Sequence, residues 1–357
     1  MSATGAATST YAIDVVDSVE EISGDQWNGV VERADLGSVY HRHEWLRAAE
    51  RTFEREPNHL VAYKDSNLIG LFPAFVEEID GTPWRRLKSI HQWYSGPLVT
   101  TDEAEILERF VETIPDIGDD VVTHVIRTDD PGYVQYHHFL SEAGYEPSIE
   151  DCNVVVDLTV GWDRILSNMR SDRRRGIRKG NEQAFEIHDE PIIEETIVEF
   201  YDGYRSLLEQ RDGDPLPRSF VSELMAMSDR LKLFSLEVEG THVGAHLNVL
   251  DDERDSFISF LSAVQPAHYE YHPTELLDEH SMKWAIENGY ERYDLGMAPA
   301  DAEDGLFRYK MSLGGSVVPL IDWERGTCPV RWPLLETART IHRRSDLLQR
   351  MVPASSG

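Results

Sequence analysis

Six basic residues fall within the ten from Arg170 to Lys179, RSDRRRGIRK, in a chain whose formal net charge is -31. Asp172 is the only acid inside the run, so immediate neighbours cannot neutralise Arg170, Arg173, Arg174, Arg175, Arg178 and Lys179. A planar guanidinium fork matches the oxygens of a phosphate. The residue types therefore point to a phosphate or another polyanion, with an internal ion-pair hub as the alternative. On a helix Arg174 and Arg178 share a face, while Ile165, Met169 and Ile177 anchor the opposite side. No serine or cysteine sits in a nucleophile motif, so no covalent enzyme intermediate is expected. His137 and His138 are adjacent, and His268 and His272 flank a proline-bounded loop; neither pair has a supporting ligand set, so no metal is expected. Asp294, in YDLG, is a candidate general base, and more readily a carboxylate capping the neighbouring loop.

The composition sets the surroundings of that chemistry. Acids outnumber bases 65 to 34, and lysine occurs only at 64, 88, 179, 232, 283 and 310, the other bases being arginine. Such a charge destabilises a fold by self-repulsion in dilute buffer. In molar salt the Debye length falls to about 3 Å and the repulsion is screened. This is the composition of a salt-accumulating halophile, so the net charge reports where the protein works rather than what it does. Cys152 and Cys328 give neither a disulfide framework nor a cysteine metal site, which suits a reducing cytoplasm. No stretch approaches the roughly 18 apolar residues of a membrane span, and the first residues lack the basic start and apolar core of a secretory signal.

A chain of 357 residues predicts two domains, and the two halves share a design. His59 to Ile79 reads as two strands around Asp65-Ser66-Asn67, and Leu233 to Leu250 as two strands around Glu239-Gly240-Thr241. Each return strand carries an apolar residue then glycine, Ile69-Gly70 and Val243-Gly244. Each half later has a helix that ends in Gly-Tyr and runs into a strand, FLSEAGYEP and WAIENGYERYDLG. Beyond Ala184 come a strand, a helix over 192–211, a helix with N-cap Ser219, three strands, a helix opened by Pro273, the strand ERYDLG, the helix LFRYKMSLG and one last strand SVVPLIDW. The tail from Arg331 reads as one amphipathic helix packed on the outside. This order is that of the GNAT acyltransferases, whose mixed sheet splays between its fourth and fifth strands. The expected fold class is α/β (α+β), two tandem GNAT-like folds over 1–150 and 151–328 with a helical tail over 329–357, the second carrying the reaction centre.

The segments RRRGIRKGNEQAFEI, YERYDLGM and GLFRYKMSLGG resemble those of the Fem-type (FemAB-like) aminoacyltransferases and their GNAT relatives, over roughly Val15 to Trp323. The resemblance implies transfer of an activated acyl or aminoacyl group from acyl-coenzyme A or aminoacyl-tRNA to an amine. It makes Tyr309 and Lys310 the catalytic pair, the lysine ammonium stabilising the tetrahedral oxyanion. It makes Arg173, Arg174, Arg178 and Lys179 candidates for donor or phosphate binding. Arg47, Arg218 and Gly96, the last in HQWYSGPLV, become acceptor-binding candidates, with His41, His43 and Trp45 near the same mouth. Trp45 is more readily a packed aromatic. One departure stands out: after the fourth strand GNAT enzymes carry a glycine-rich loop that cradles the coenzyme pyrophosphate at a helix start, and VQPAHYEYHPTELL has Gln265 but no glycine.

The reading is an N-acyltransferase acting on a phosphate-bearing acceptor, such as a nucleotide-linked sugar or peptide, in cell-envelope polymer biosynthesis. Two rivals remain: a coenzyme A-dependent N-acetyltransferase acting on an amino sugar or small amine, and a non-catalytic RNA- or polyanion-binding protein. Screening by molar salt weighs against the second.

Overall fold

The computed structural model describes residues 10–89, 96–114, 117, 118, 120–129 and 131–339. The first half runs β1 (Tyr11–Val16), α1 (Gly24–Arg33), α2 (His43–Thr52), β2 (Glu56–Pro57), β3 (His59–Lys64), β4 (Asn67–Phe72) and β5 (Phe75–Glu78). It continues with β6 (Arg85–Lys88), β7 (Leu98–Val99), α3 (Glu103–Thr113), β8 (Val121–Thr128), α4 (His137–Glu142) and β9 (Glu146–Ser148). The second half opens with β10 (Asp151–Asp157), α5 (Trp162–Asn168), α6 (Ser171–Gly180), β11 (Phe185–Glu190), α7 (Glu194–Glu209) and α8 (Arg218–Glu223). It ends with β12 (Leu231–Val238), β13 (Thr241–Asp251), β14 (Ser256–Ser262), α9 (Pro273–Glu287), β15 (Arg292–Pro299), α10 (Gly305–Ser312), β16 (Ser316–Pro319) and β17 (Ile321–Gly326). The sheets are ordered β1-β3-β4-β7, β2-β5-β6-β8-β17-β9 and β11-β12-β13-β14-β15-β10-β16.

Two local devices occur once in each half. The hairpins turn through two left-handed residues, Asp65 (φ 49°) with Ser66 (φ 70°), and Glu239 (φ 52°) with Gly240 (φ 75°). That is the I′ pattern, whose twist suits a two-residue hairpin. Both return strands then carry one extra residue before their glycine. The register steps from Tyr63↔Leu68 to Ala62↔Gly70, and from Glu237↔His242 to Leu236↔Gly244. A side chain on either glycine would collide: a Cβ on Gly70 would lie 3.2 Å from the Leu98 carbonyl oxygen, and one on Gly244 2.7 Å from the Val264 side chain. The Gly-Tyr helix ends also match. Gly144 and Gly289 both have φ 85°, and the next N–H reaches back five residues, Tyr145 to the Leu140 carbonyl (2.9 Å) and Tyr290 to that of Ala285 (3.0 Å).

The splay forms where expected. β14 and β15 pair in parallel only at Ser256↔Arg292, Phe257↔Tyr293 and Ile258↔Asp294, and then separate. In the first half the parallel pairing of β6 with β8 ends in the same way at Lys88↔Val125.

Three sequence expectations need correction. SVVPLIDW is two strands: β16 pairs with β10, whereas β17 crosses to the first half and pairs with β8 and β9. Pro319, which has no N–H for a ladder, ends β16 at the crossing. The segment from Trp162 to Gly180 is two helices, because Met169 and Arg170 are extended (ψ 150° and 148°), so Ile165 and Met169 do not share a helix with Ile177. Helix α8 begins at Arg218 behind Pro217, which leaves Ser219 inside the first turn. Of the tail, residues 331–339 are helical, with Leu335 buried against Ile79 and Val122; residues 340–357 lie outside the described residues.

One apolar core spans the two halves. Trp45 of α2 is fully buried, edge-on to Phe220 of α8 (5.6 Å) and Phe260 of β14 (5.5 Å). Beside it Arg254 crosses the seam, its guanidinium bonded to Asp129 (2.6 Å) and to the carbonyls of Gly37 (2.9 Å) and Leu36 (3.1 Å). Asp251 reciprocates by accepting the Val39 N–H (2.8 Å). Arg254→Ala would strand a buried Asp129 carboxylate, and the expected loss is about 3–5 kcal/mol. Urea unfolding at fixed salt should show this as a lower midpoint with unchanged slope. Arg205→Ala, which removes exposed pairs, should cost less than about 0.5 kcal/mol.

Candidate active site

Lys310 sits on α10, which follows β15 and packs against it. The residue is 9% exposed, and its ammonium donates to the Met297 carbonyl at 2.7 Å. Gly296, left-handed at φ 74°, makes room for it. A Cβ there would lie 3.6 Å from Nζ and 3.9 Å from the carbonyl oxygen of Ser259, the first β14 residue past the last parallel pair. Lys310 thus stands where the two strands part. Burial pushes its ammonium down to about 8, an effect opposed by the nearby carboxylate of Asp294. Asp294 accepts the Gly296 N–H (2.7 Å) and an amide hydrogen of Asn153 (3.4 Å), the loop-capping role expected of it.

A cavity of about 180 Å³ opens between the halves at this point. Tyr40 and Asp129 line it from the first half, and Asn153, Asp251, Arg292 and Asp294 from the second. A larger cavity of about 320 Å³ lies between α7 and β12–β13, lined by Glu190, Glu199 and Glu237. Three carboxylates repel a phosphate, so that space does not suit a coenzyme diphosphate. In the first half the space under the β6–β8 splay is filled by Phe72, Phe110 and Tyr133.

Tyr309 and Lys310 diverge, because successive residues of a helix point about 100° apart. The Tyr309 hydroxyl turns inward and donates to Asp278 of α9 at 2.9 Å, while the Arg173 guanidinium lies over its ring at 5.3 Å. Asp278 is 3% exposed, also within 3.4 Å of the Tyr293 hydroxyl and 3.8 Å of His246 Nδ1. Burial pushes the Asp278 carboxyl up to about 7 and the His246 imidazole down to about 4. Neither ring nitrogen of His246 has a hydrogen-bond partner among the described residues. Sequence reasoning missed this network. Its one signal was a carboxylate four residues before Met282 and seven before Ala285, on the apolar stripe of α9.

The basic run does not act as one patch. Arg170 pairs with Asp172 (2.6 Å), and Arg173 turns inward to Glu275 (2.9 Å). Arg174 caps α5 through the carbonyls of Ser167 (3.2 Å) and Met169. Arg178 is exposed, 3.9 Å from Glu182, and Lys179 is exposed. Two glycines press this helix onto α9: Cβ atoms on Gly176 and Gly180 would lie 2.9 Å from Glu275 and 2.8 Å from Leu276. The run therefore flanks the start of α9, where His272 at φ 56° leads in with no side-chain cap and a short 3-10 turn (Pro266–Tyr271) replaces a glycine loop.

The acceptor candidates lie apart from Lys310's own contacts. Arg47 is half-buried on α2, and its Nε has no hydrogen-bond partner. Arg218 is exposed at the start of α8, which packs on α2. Gly96 is buried; its carbonyl meets His41 Nε2 (3.0 Å), and a Cβ there would lie 2.4 Å from the Tyr133 ring. Residues 91–95 of HQWYSGPLV lie outside the described residues. His41 is buried and held neutral, pushed down to about 3. Among the described residues no group of three or more His, Cys, Asp or Glu could hold a metal, and no helix is long and apolar enough to cross a membrane.

Residues 167–311, from the end of α5 to the residue after Lys310, match the acetyltransferase (GNAT) domain family. The chain carries a GNAT-type acyltransferase domain. Around it the tandem fold is shared with solved structures of low identity. FemX is 12% identical, over 84% of this chain and 96% of that chain, with TM-score 0.67. The C-terminal domain of a putative lysylphosphatidylglycerol synthetase from Agrobacterium fabrum is 15% identical (88% and 96% covered, TM-score 0.55). A tandem GNAT protein from the clavulanic acid biosynthesis pathway is 12% identical (90% and 99%, TM-score 0.50). No curated protein matches the sequence. Within the GNAT domain, Lys310 and its splay occupy the second half, and the fold is tandem α/β as expected.

The Asp278 carboxyl lies above its ordinary value of 3.8, so the folded state holds a proton that the unfolded chain releases. Its contribution to stability therefore falls as pH rises from about 4 to about 7. Asp278→Asn removes that proton, so relative to wild type the variant should gain stability between about pH 5 and pH 8. Unfolding midpoints of both proteins at the two pH values test this.

Proposed function

We propose that the protein joins an activated acyl or aminoacyl group to an amine on a phosphate-bearing acceptor, such as a nucleotide-linked sugar or peptide. The observation that carries this reading is the Lys310 ammonium, buried where β14 and β15 part, bonded to a carbonyl, and close to Asp294, which lines the cavity between the halves. The donor lies in the splay and the acceptor amine enters from the cavity. The amine attacks the acyl carbonyl, a C–N bond forms, and negative charge moves to the carbonyl oxygen. A fixed cation in a dry cleft stabilises that oxyanion far more in the transition state than in the ground state. The intermediate then collapses with loss of the donor's thiol or hydroxyl. Asp294 is the carboxylate at hand for the amine proton.

The matched acetyltransferase domain favours acyl-coenzyme A as donor. Aminoacyl-tRNA is the second donor, consistent with a lead-in to α9 that has no glycine between Gln265 and Pro273. Exposed Arg174, Arg178 and Lys179 lie beside that lead-in and would meet donor phosphates, with Arg47 and Arg218 on the acceptor side. A second solved relative is named for a lysylated lipid, which supports an acceptor linked to lipid or envelope polymer. The net charge supports work in a salt-rich cytoplasm.

Lys310→Ala should leave the fold intact and lower kcat about 10²–10³-fold with little change in donor KM. In wild type the rate should fall as pH rises through about 8, where the ammonium is lost. Steady-state rates with acyl-coenzyme A and charged tRNA donors at high salt decide this; undiminished transfer by Lys310→Ala would sink the assignment.

A further inference from the structure

Lys88 is the most buried lysine among the described residues. It closes β6 at the point where the first half's sheet splays, in register with Val125 of β8 and 6% exposed. The other lysines are accounted for. Lys64, Lys232 and Lys283 bond to Asp102, Asp189 and Glu279 at 2.5–2.7 Å, Lys310 bonds to the Met297 carbonyl, and Lys179 is exposed. Lys88 has no hydrogen bond or ion pair among the described residues. Its nearest acids are already taken. Arg127 holds Asp322 through two bonds of 2.7 Å, and Glu77 is held by Arg86 (2.6 Å) and Arg55 (3.2 Å). Burial works against its ammonium, and Asp322 and Glu77, each shared with an arginine, offset that through space.

Its position links it to the reaction centre. Leu87 faces the core under α3, so Lys88 faces the opposite side, with Arg127 and then Asp129 along β8. Asp129 lines the cavity between the halves. Arg127 reaches the sulfur of Met297 (3.7 Å), the residue whose carbonyl holds Lys310. Lys88 thus lies on the first-half face of the seam, and Lys310 and Asp294 lie across it.

We propose that Lys88, with Arg127 beside it, is the anion-binding site of the acceptor, taking a phosphate or carboxylate group on the molecule whose amine reaches Lys310. The placement at Lys310 rests on the acyl-transfer reading; the anion site itself does not. An anion of this class would add to the support that Glu77 and Asp322 give the ammonium through space.

Six lysines make the test direct. The full chain, grown with lysine ¹³C-labelled at Cε, is titrated by NMR at constant ionic strength in potassium chloride. The titration is repeated with inorganic phosphate and with acetate, and Lys88 is assigned from Lys88→Arg. Burial places Lys88 at about 8 in chloride. A bound anion favours the ammonium, so its midpoint should rise by roughly half a unit or more while Lys310 holds. A rise with phosphate alone identifies a phosphate group, and an equal rise with acetate a carboxylate. Lys88→Met should abolish the thermal stabilisation given by the effective anion, and Lys88→Arg should keep it. No movement at Lys88 with either anion overturns the proposal, as does movement at Lys179 alone, which would put the anion on the basic helix. None of these outcomes depends on whether Lys310→Ala loses transfer, so the two readings fail separately.

Discussion

The parallel pairing between β14 and β15 lasts three residues and then stops. Past Ile258 and Asp294 the two strands have no ladder to hold them together, and each exposes backbone groups that must be met some other way. Asp294 takes the Gly296 N–H, and Lys310 takes the Met297 carbonyl. The polar groups of the candidate site are thus the same ones that satisfy an interrupted sheet. A conventional ladder would remove both the opening and the reason for a buried lysine. The left-handed Gly296 lies at the same interruption, where glycine adopts a φ of 74° without strain.

The first half has the same interruption and resolves it differently. Below its splay, Phe72, Phe110 and Tyr133 fill the space, and Gly96 gives up a side chain so that Tyr133 can enter. Two copies of one architecture have diverged into a filled half and an open one. What holds them in one piece is apolar burial of Trp45 together with the Arg254 bridge, whose carbonyl and carboxylate partners all lie in the other half. Charge is distributed with the same economy. Among the described residues many arginines are bound to acids, and Lys88 and the Nε of Arg47, for which no bonded partner is seen there, are the cations open to a ligand.

Much of the architecture could be read from local residues. The I′ turns follow from Asp-Ser and Glu-Gly between apolar alternations, the bulges from the apolar-Gly steps, and the helix ends from Gly144 and Gly289. Each depends on a few neighbouring residues. The basic run was legible as charge but not as a surface, because inward rotation of Arg173 depends on Glu275, more than a hundred residues away. Tyr309 and Lys310 were legible as a pair, and only the orientation of α10 shows that they serve different environments.

The sequence alone determined what is short-range: the hairpin turns, the glycine helix ends, most of the element order, and the net charge of -31. Those features are written in residue type and spacing, and the energies that enforce them act over one turn of helix or one hairpin. Only the tertiary structure decided which charges are neutralised, that β17 belongs to the other half's sheet, that Asp278 is buried on an apolar stripe, and that Lys88 is buried at the end of β6. The physical reason is that the state of a charge depends on burial and on partners brought together by long-range packing. Neither is a property of the residue or of its neighbours in the chain.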